Sequence, residues 1–474
     1  MARLSTARII LLTIVGLAVL HYTNVLAPLT SLLVTPAARF TDDPYTFGTC
    51  PPSAWNGGQW QRRERPRVAG VNDTELTRSE DIFHYNGLQG CAADREFYWH
   101  LAADNGNHFS RFPDATEWEW VPAKGCRGVK PLSAEALVKH LVEEGGWFLL
   151  GDSVTENHFF SLSCTLYPHV RATPNYTENP YFDRAWPQNL YLDPASPLVR
   201  TLDFPDGFDI AETPLVTFRR NDLLLTHVDL EELHRGKHPE MYEGFTGAPR
   251  GNFSLFGGEA HWAQSPREYW AWFTEPLPKR YATLFTNTGG HWTTTLMHGF
   301  RDEEAEGQGI RPLLTFFGHA VDRWAREVQT LLDRERARED AERREQAAAG
   351  RAGHRKGKIL RREVVVRAYA TGHEDCHNFR EPWAEFKPDE AYRNRWYNWA
   401  WFDEMNALFQ RVLASPLYPD IHFLRIDLPQ RLRPDAHGTG DCLHLMTGSG
   451  VMEGWTRYLW HFVSRELPAH AGAS

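Results

Sequence analysis

The sequence predicts an α/β protein built on a mostly parallel sheet. Brief apolar runs of strand length recur along it: Trp147-Phe148-Leu149-Leu150, Leu223-Leu224-Leu225, Ala282 to Phe285, Val364-Val365-Val366 and Ile421 to Ile426. Helical stretches separate these runs, which leaves parallel crossovers as the natural connections. Several runs end in residues of turn or polar type, Gly151-Asp152, Asn287 and Asp427 among them, and the carboxyl edge of such a sheet is where α/β proteins build their sites.

Composition narrows the class. The chain has 474 residues, 42% of them hydrophobic, enough for a large core. A net charge of −10 gives no general attraction to nucleic acid, so that class of partner is set aside. Eighteen tryptophans are many. Core packing accounts for most of them, while exposed ones can stack on sugar rings.

The N-terminus reads as a membrane anchor. Arg3 and Arg8 precede an apolar run from Ile9 to Leu20, and apolar character resumes after His21-Tyr22-Thr23-Asn24. Ala7 to Leu26 just reaches the length of about 20 residues that crosses a bilayer. Basic residues before the segment keep the N-terminus cytoplasmic, which predicts a type II single-pass topology with a lumenal body. A cleaved signal peptide is the competing reading, with Ala37-Ala38 as a candidate site. Both readings place the body in the secretory pathway. The six cysteines, Cys50, Cys91, Cys126, Cys164, Cys376 and Cys442, all follow this segment. Even in number and without CxxC clusters, they suit an oxidising compartment better than a zinc site. The sequons at Asn72, Asn175 and Asn252 are candidate glycan acceptors there.

These signals divide the chain into a cytoplasmic tip and anchor (1–26), a stalk (27–45), an irregular cysteine-containing lobe (46–130) and an α/β domain (131–465). Within the last, residues 322–358 are charged, Ala-rich and free of proline. They predict an exposed helix ending near Gly350, a solvated insertion between two strands, followed by a basic loop from Arg351 to Lys358.

Three segments carry candidate chemistry. In Trp147 to Ser153, an apolar strand runs into Gly151-Asp152-Ser153, and Asn157 and Phe160 begin a helix. A serine at such a corner lies beside helix N-terminal amides that can stabilise an oxyanion. Far downstream, Asp441 and His444 stand three apart in a turn ahead of Gly448-Ser449-Gly450 and a helical stretch from Trp455 to Phe462. A serine hydroxyl needs an imidazole to activate it, and the imidazole needs an anion to fix its tautomer. Third, Phe285 to Trp292 ends a strand in Asn287-Thr288-Gly289-Gly290. The Asn287 amide can donate to an oxyanion, and His291 and Trp292 can line a sugar site. A plain turn also fits Asn-Thr-Gly-Gly.

Together the blocks resemble the PC-esterase family, which includes the plant trichome-birefringence-like polysaccharide O-acetyltransferases and is related to the lumenal part of the fungal capsule acetylation proteins. The family's GDS block matches Gly151-Asp152-Ser153, with Asn157 and Ser161-Leu162-Ser163-Cys164 in step behind it. Its Asn-Thr-Gly-His-Trp strand end matches Asn287 to Trp292 with one extra glycine, and its DxxH block matches Asp441 to His444, preceded by Leu432 to His437. Cys50, Cys91, Asp94, Trp120 and Cys126 resemble its N-terminal lobe. Glu156 stands where the plant sequences usually carry Arg, Met446 where they carry a further cysteine, and the charged insertion has no counterpart.

The resemblance implies an SGNH-hydrolase-like three-layer α/β/α fold and acetyl transfer to glycan hydroxyls in the Golgi through an acetyl-serine. Ser153 is then the nucleophile, His444 the base and Asp441 its orienting anion, with Asn287 and amides near Ser153 holding the oxyanion. Gly151, Asp152, Gly289, His291 and Trp292 fall in the same oxyanion and substrate region. No bound cofactor or metal is implied; an acetyl donor enters as co-substrate and a glycan or polysaccharide as acceptor. The resemblance further implies the pairs Cys50–Cys126, Cys91–Cys164 and Cys376–Cys442, the first two stapling the lobe to the catalytic domain. A carbohydrate acetylesterase with the same triad, and a non-catalytic glycan-binding protein, are the rival readings.

Overall fold

Gly146–Gly151 is apolar and buried along its whole length, the pattern of a strand covered on both faces. The computed structural model describes residues 49–63, 72, 74–178, 186–244, 246–348, 359–388 and 398–468. Among them this strand is the third in chain order, β3. It is the centre of a seven-stranded sheet. The others are β4 (Val170–Thr173), β5 (Gln188–Leu192), β6 (Pro214–Arg220), β7 (Tyr281–Thr286), β8 (Glu363–Arg367) and β9 (Ile421–Leu424). The spatial order is β4-β5-β6-β3-β7-β8-β9. β6, β3, β7, β8 and β9 run parallel, and β4 and β5 add an antiparallel edge. The expected α/β class with a mostly parallel sheet is therefore present.

The order places a switch point beside β3. From β3 the chain crosses to the edge strand β4 and returns inward through β5 to β6, beside β3; it then passes to β7 on the other side of β3 and moves outward to β8 and β9. Crevices at such points, outside the carboxyl ends of the strands, are where α/β sheets bind ligands.

Leu223-Leu224-Leu225 is not a strand. The strand in this region is Pro214–Arg220, and the leucines form a buried loop beyond it. Asn221 turns the chain by accepting from the Leu224 N–H at 3.0 Å, and Leu224 adopts a positive φ of 62°. Threonine and arginine interrupt the apolar character of β6, which hides it from a search for apolar runs.

The charged segment also differs from expectation. It belongs to one 39-residue helix, Ile310–Ala348, whose apolar face packs into the core from Ile310 to Leu332. The insertion lies between β7 and β8 as predicted, but it is not wholly solvated. Glu335 and Glu339 are buried: Glu335 pairs with Arg362, and Glu339 accepts from the Arg362 backbone N–H at 3.1 Å. Arg336 reaches Glu363 of β8 at 3.0 Å. The basic loop, the helix end near Gly350, the anchor and the stalk lie outside the described residues. No helix among the described residues is long and apolar enough to cross a membrane.

The N-terminal lobe contains short helical turns and a two-stranded antiparallel sheet of β1 (Gln59–Arg62) and β2 (Trp118–Val121). The lobe and the α/β domain belong to one compact unit, Tyr45–Ser474. All three expected disulfides are present. Cys91–Cys164 joins the lobe to the helix after β3. Cys50–Cys126, in contrast to expectation, closes the lobe on itself, because both cysteines lie within it. The first residues of the lobe are held instead by Glu466, which accepts from the Thr49 and Cys50 N–H groups at 3.0 Å each.

Candidate active site

Ser153 opens helix α1 (Ser153–Thr165) directly after β3. Asp152 caps it: Oδ1 accepts from the Val154 N–H at 3.0 Å, and Oδ2 accepts from the Tyr369 hydroxyl at 2.6 Å. Asp152 is fully buried, so it shapes the turn rather than touching substrate. Gly151 has no room for a side chain, because a Cβ there would sit 2.3 Å from Thr155 Oγ1 and 2.9 Å from Asn287 Oδ1. The Ser153 N–H occupies the first helical position, where no carbonyl one turn back is available to it.

The DxxH turn meets this corner. His444 Nε2 lies 2.7 Å from Ser153 Oγ, and His444 Nδ1 lies 2.7 Å from Asp441 Oδ2. Asp441 Oδ1 accepts from the Leu443 and His444 N–H groups at 2.8 Å each, so one carboxylate folds the turn and orients the ring. Nδ1–H donates to Asp441, which leaves Nε2 to accept the serine proton. Burial pushes the Asp441 pKa up, but the His444 hydrogen bond and charge and the two amides outweigh it and hold the carboxyl well below its ordinary range. Asn157, one turn after Ser153, accepts from the Leu445 N–H at 2.8 Å and donates to His100 Nδ1 at 3.1 Å, tying α1 to the loop. The Cys376–Cys442 bridge holds the loop from its other side.

The lobe supports the same loop from below. The buried Arg111 guanidinium donates to the carbonyls of Asp435 and His437, at 2.6 and 2.5 Å. Arg433 and Asp435 form a fully buried pair at 2.8 Å. His437 donates to no substrate cavity: its ring is buried between His373 and the His444 carbonyl.

The third segment divides. Asn287 Oδ1 lies beside Gly151 and accepts from Thr155 Oγ1 at 2.8 Å, and the residue is buried at 2% exposure. Gly289 and the extra glycine, Gly290, let the chain cross the Tyr369 ring: a Cβ would lie 2.8 Å from Tyr369 Cγ at the first and 2.4 Å from Tyr369 Oη at the second. Asn398 secures this turn by donating to the Gly289 and Trp292 carbonyls at 2.8 and 2.9 Å. His291 lines the cavity. Burial opposes its protonation, but Glu259, Asp222 and Asp152 outweigh that and raise its pKa above the ordinary imidazole value. Trp292 does not line a sugar site. It is 1% exposed, packed edge-on against Phe317 and bonded through Nε1 to Thr288 Oγ1 at 3.0 Å.

The cavity at Ser153 encloses about 1220 Å³. Three of its features were not read from the sequence as site residues. Trp99 meets the His444 ring edge-on with centroids 5.2 Å apart; its signal was only the abundance of tryptophan. Tyr369 stands two residues past β8, the position its apolar run pointed to. Arg220 ends β6, bonded to Asp222 at 2.5 Å and to His291 Nε2 at 3.2 Å. Glu156, the departure from the plant pattern, pairs with Arg95 at 2.6 Å and accepts from Gln188 at 2.7 Å. Cys376, His377 and Cys442 place ligand-type atoms within 4.8 Å of one another, but both sulfurs are spent in the disulfide.

Fold and site together define an α/β protein with a Ser-His-Asp chain at the carboxyl edge of a mostly parallel sheet. No protein-family model matches the chain, and no curated protein matches it.

Proposed function

We propose that the protein is an acyltransferase of SGNH-like, three-layer architecture that moves acetyl groups to glycan hydroxyls through an acetyl-Ser153 intermediate. The hydrogen-bonded series Asp441–His444–Ser153, with both links at 2.7 Å, carries this reading. It supplies a nucleophile, a general base and an orienting anion in the arrangement acyl transfer requires. In the first half-reaction Ser153 Oγ attacks the acetyl carbonyl and its proton passes to His444 Nε2. The carbon–leaving-group bond then breaks, and His444 returns the proton to the departing group. In the second, a sugar hydroxyl gives its proton to His444 and attacks the acetyl carbon, and Ser153 leaves with the proton restored. The Ser153 N–H and the Asn287 amide are the donors suited to the oxyanion in both halves.

The acetyl group, the glycan acceptor and the Golgi lumen rest on the PC-esterase resemblance. The three disulfides agree with an oxidising compartment. Asn175 and Asn252 are exposed and Asn72 is half-buried, positions open to glycan in that compartment. The N-terminal anchor would hold the body at the membrane.

Intact-protein mass after brief incubation with an activated acetyl ester tests the reading. One acetyl group should appear on the Ser153 peptide and leave on addition of an oligosaccharide. Acetate release unaffected by any oligosaccharide would favour the acetylesterase, and no acetyl on Ser153 would remove the mechanism.

A further inference from the structure

We infer that the acceptor is an uncharged sugar chain, selected by an acidic, aromatic-walled cavity that excludes uronates and other anionic glycans; this rests on the acetyl-transfer reading. Besides Glu156 and Asp441, the cavity is lined by Glu96, Asp104, Glu259, Glu374 and Asp375. Among the described residues Arg220 is the only arginine or lysine lining it. That guanidinium is buried among partners: it bonds to Asp222 and His291, stacks over Trp262 with its carbon 4.9 Å from the ring centroid, and is 4% exposed, while its Nη1 makes no hydrogen bond and lies 3.9 Å from Glu156 Oε2. Arg95 is likewise paired with Glu156. The site thus places seven carboxylates, against one buried guanidinium and the imidazole of His291, where an acceptor must approach Ser153.

A carboxylate entering this cavity would lose water while facing like charge, and like-charge juxtaposition in a partly desolvated site costs several kcal/mol. A neutral sugar meets no such penalty, and its hydroxyls suit carboxylate acceptors. Glu374 Oε2 is buried with no hydrogen-bond partner, which adds to the unneutralised negative charge of this wall. Tyr98 and Trp99 supply half-buried aromatic faces in the same wall, against which the C–H face of a sugar ring can pack. The oligosaccharide that fits is one whose recognition groups are hydroxyls throughout.

Binding can be read without any acetyl chemistry. The full-length protein in neutral detergent is titrated, by intrinsic tryptophan fluorescence, with an uncharged β-1,4-xylohexaose and with hexagalacturonate, at low salt and at about 0.5 M salt, where the screening length shrinks to a few ångströms. The neutral chain should bind at least about tenfold more tightly at low salt, and added salt should narrow the gap. Glu259→Gln and Glu374→Gln should each narrow it by strengthening uronate binding. Equal or tighter binding of the uronate at low salt, or no binding of either chain, would overturn the inference. Because this readout does not involve Ser153 acetylation, it can fail while the acetyl-enzyme forms, and it can succeed while that mechanism fails.

Discussion

The Tyr369 hydroxyl, delivered from the end of β8, donates to Asp152 at the end of β3, two strands away, at 2.6 Å. Asp152 is the cap that starts the helix carrying Ser153, so a side chain remote in sequence fixes the corner on which the proposed nucleophile stands. Burial and the neighbouring Asp152 charge hold the phenol well above its ordinary pKa, and it remains a donor at all working pH values. Tyr369→Phe leaves a fully buried carboxylate oxygen without that donor, at a cost of about 1–3 kcal/mol. Thermal unfolding should show that loss. Turnover should fall about ten- to a hundredfold as the corner shifts. An unchanged melting temperature would mean the bond contributes nothing.

Ser153→Ala and His444→Ala should be about equally damaging, because the two residues act as a unit. Asp441→Asn should preserve the fold and leave the ring in the wrong tautomer, with a loss of up to about 10⁴-fold in turnover by analogy with serine proteases. His437→Ala should cost much less in chemistry, since its ring packs on His373 and the loop backbone. Rates of transfer from an activated acetyl ester separate these outcomes; wild-type turnover by Ser153→Ala would remove the nucleophile assignment.

Cys442 sits inside the DxxH turn, between Asp441 and His444, and its bridge to Cys376 ties that turn to the segment after β8. Cys376→Ser with Cys442→Ser should lower stability by about 2–4 kcal/mol. It should also reduce turnover well below the unfolding temperature, because the DxxH turn loses its covalent restraint. Breaking Cys50–Cys126, which closes the lobe on itself, should affect stability alone. A non-reducing peptide map with Cys442 as a free thiol would contradict the scheme.

Stability should decline on mild acidification. Burial lowers the His158 pKa to about 3 and the His373 pKa to about 4, against about 6.5 for a free imidazole. Each is neutral when folded and would take up a proton on unfolding. The stabilisation is therefore complete above about pH 6.5 and is lost progressively as pH falls toward 4 and then 3. Asp441, held low in the folded state, keeps its contribution constant through this window, and His291, with its raised pKa, acts in the opposite sense as pH rises. Melting temperatures from pH 8 to pH 5 should fall, and His373→Asn should flatten the slope. A flat wild-type profile would show that these imidazoles do not control it.

By itself the sequence determined the features that local pattern and residue chemistry encode. The continuous apolar runs of β3, β7, β8 and β9 declared strands covered on both faces. The Gly-Asp-Ser corner and the Asp-x-x-His turn stood out because few residue types can activate a hydroxyl, and the six cysteines, even in number and without CxxC clusters, indicated disulfides. Tertiary packing decided the rest. β6 escaped notice because its Thr and Arg residues are buried by partners distant in sequence. Glu335 and Glu339 looked solvated because their partner Arg362 stands outside the helix, directly before β8, where no helical periodicity reveals it. Trp292 stands next to a site residue in sequence, yet its ring points into the core against Phe317. Arg220, Tyr369 and Trp99 reach the cavity from three separate segments. Periodicity specifies which residues share a face of one element, but the direction a side chain takes beyond that face depends on which other elements close over it, and that is a property of the whole fold.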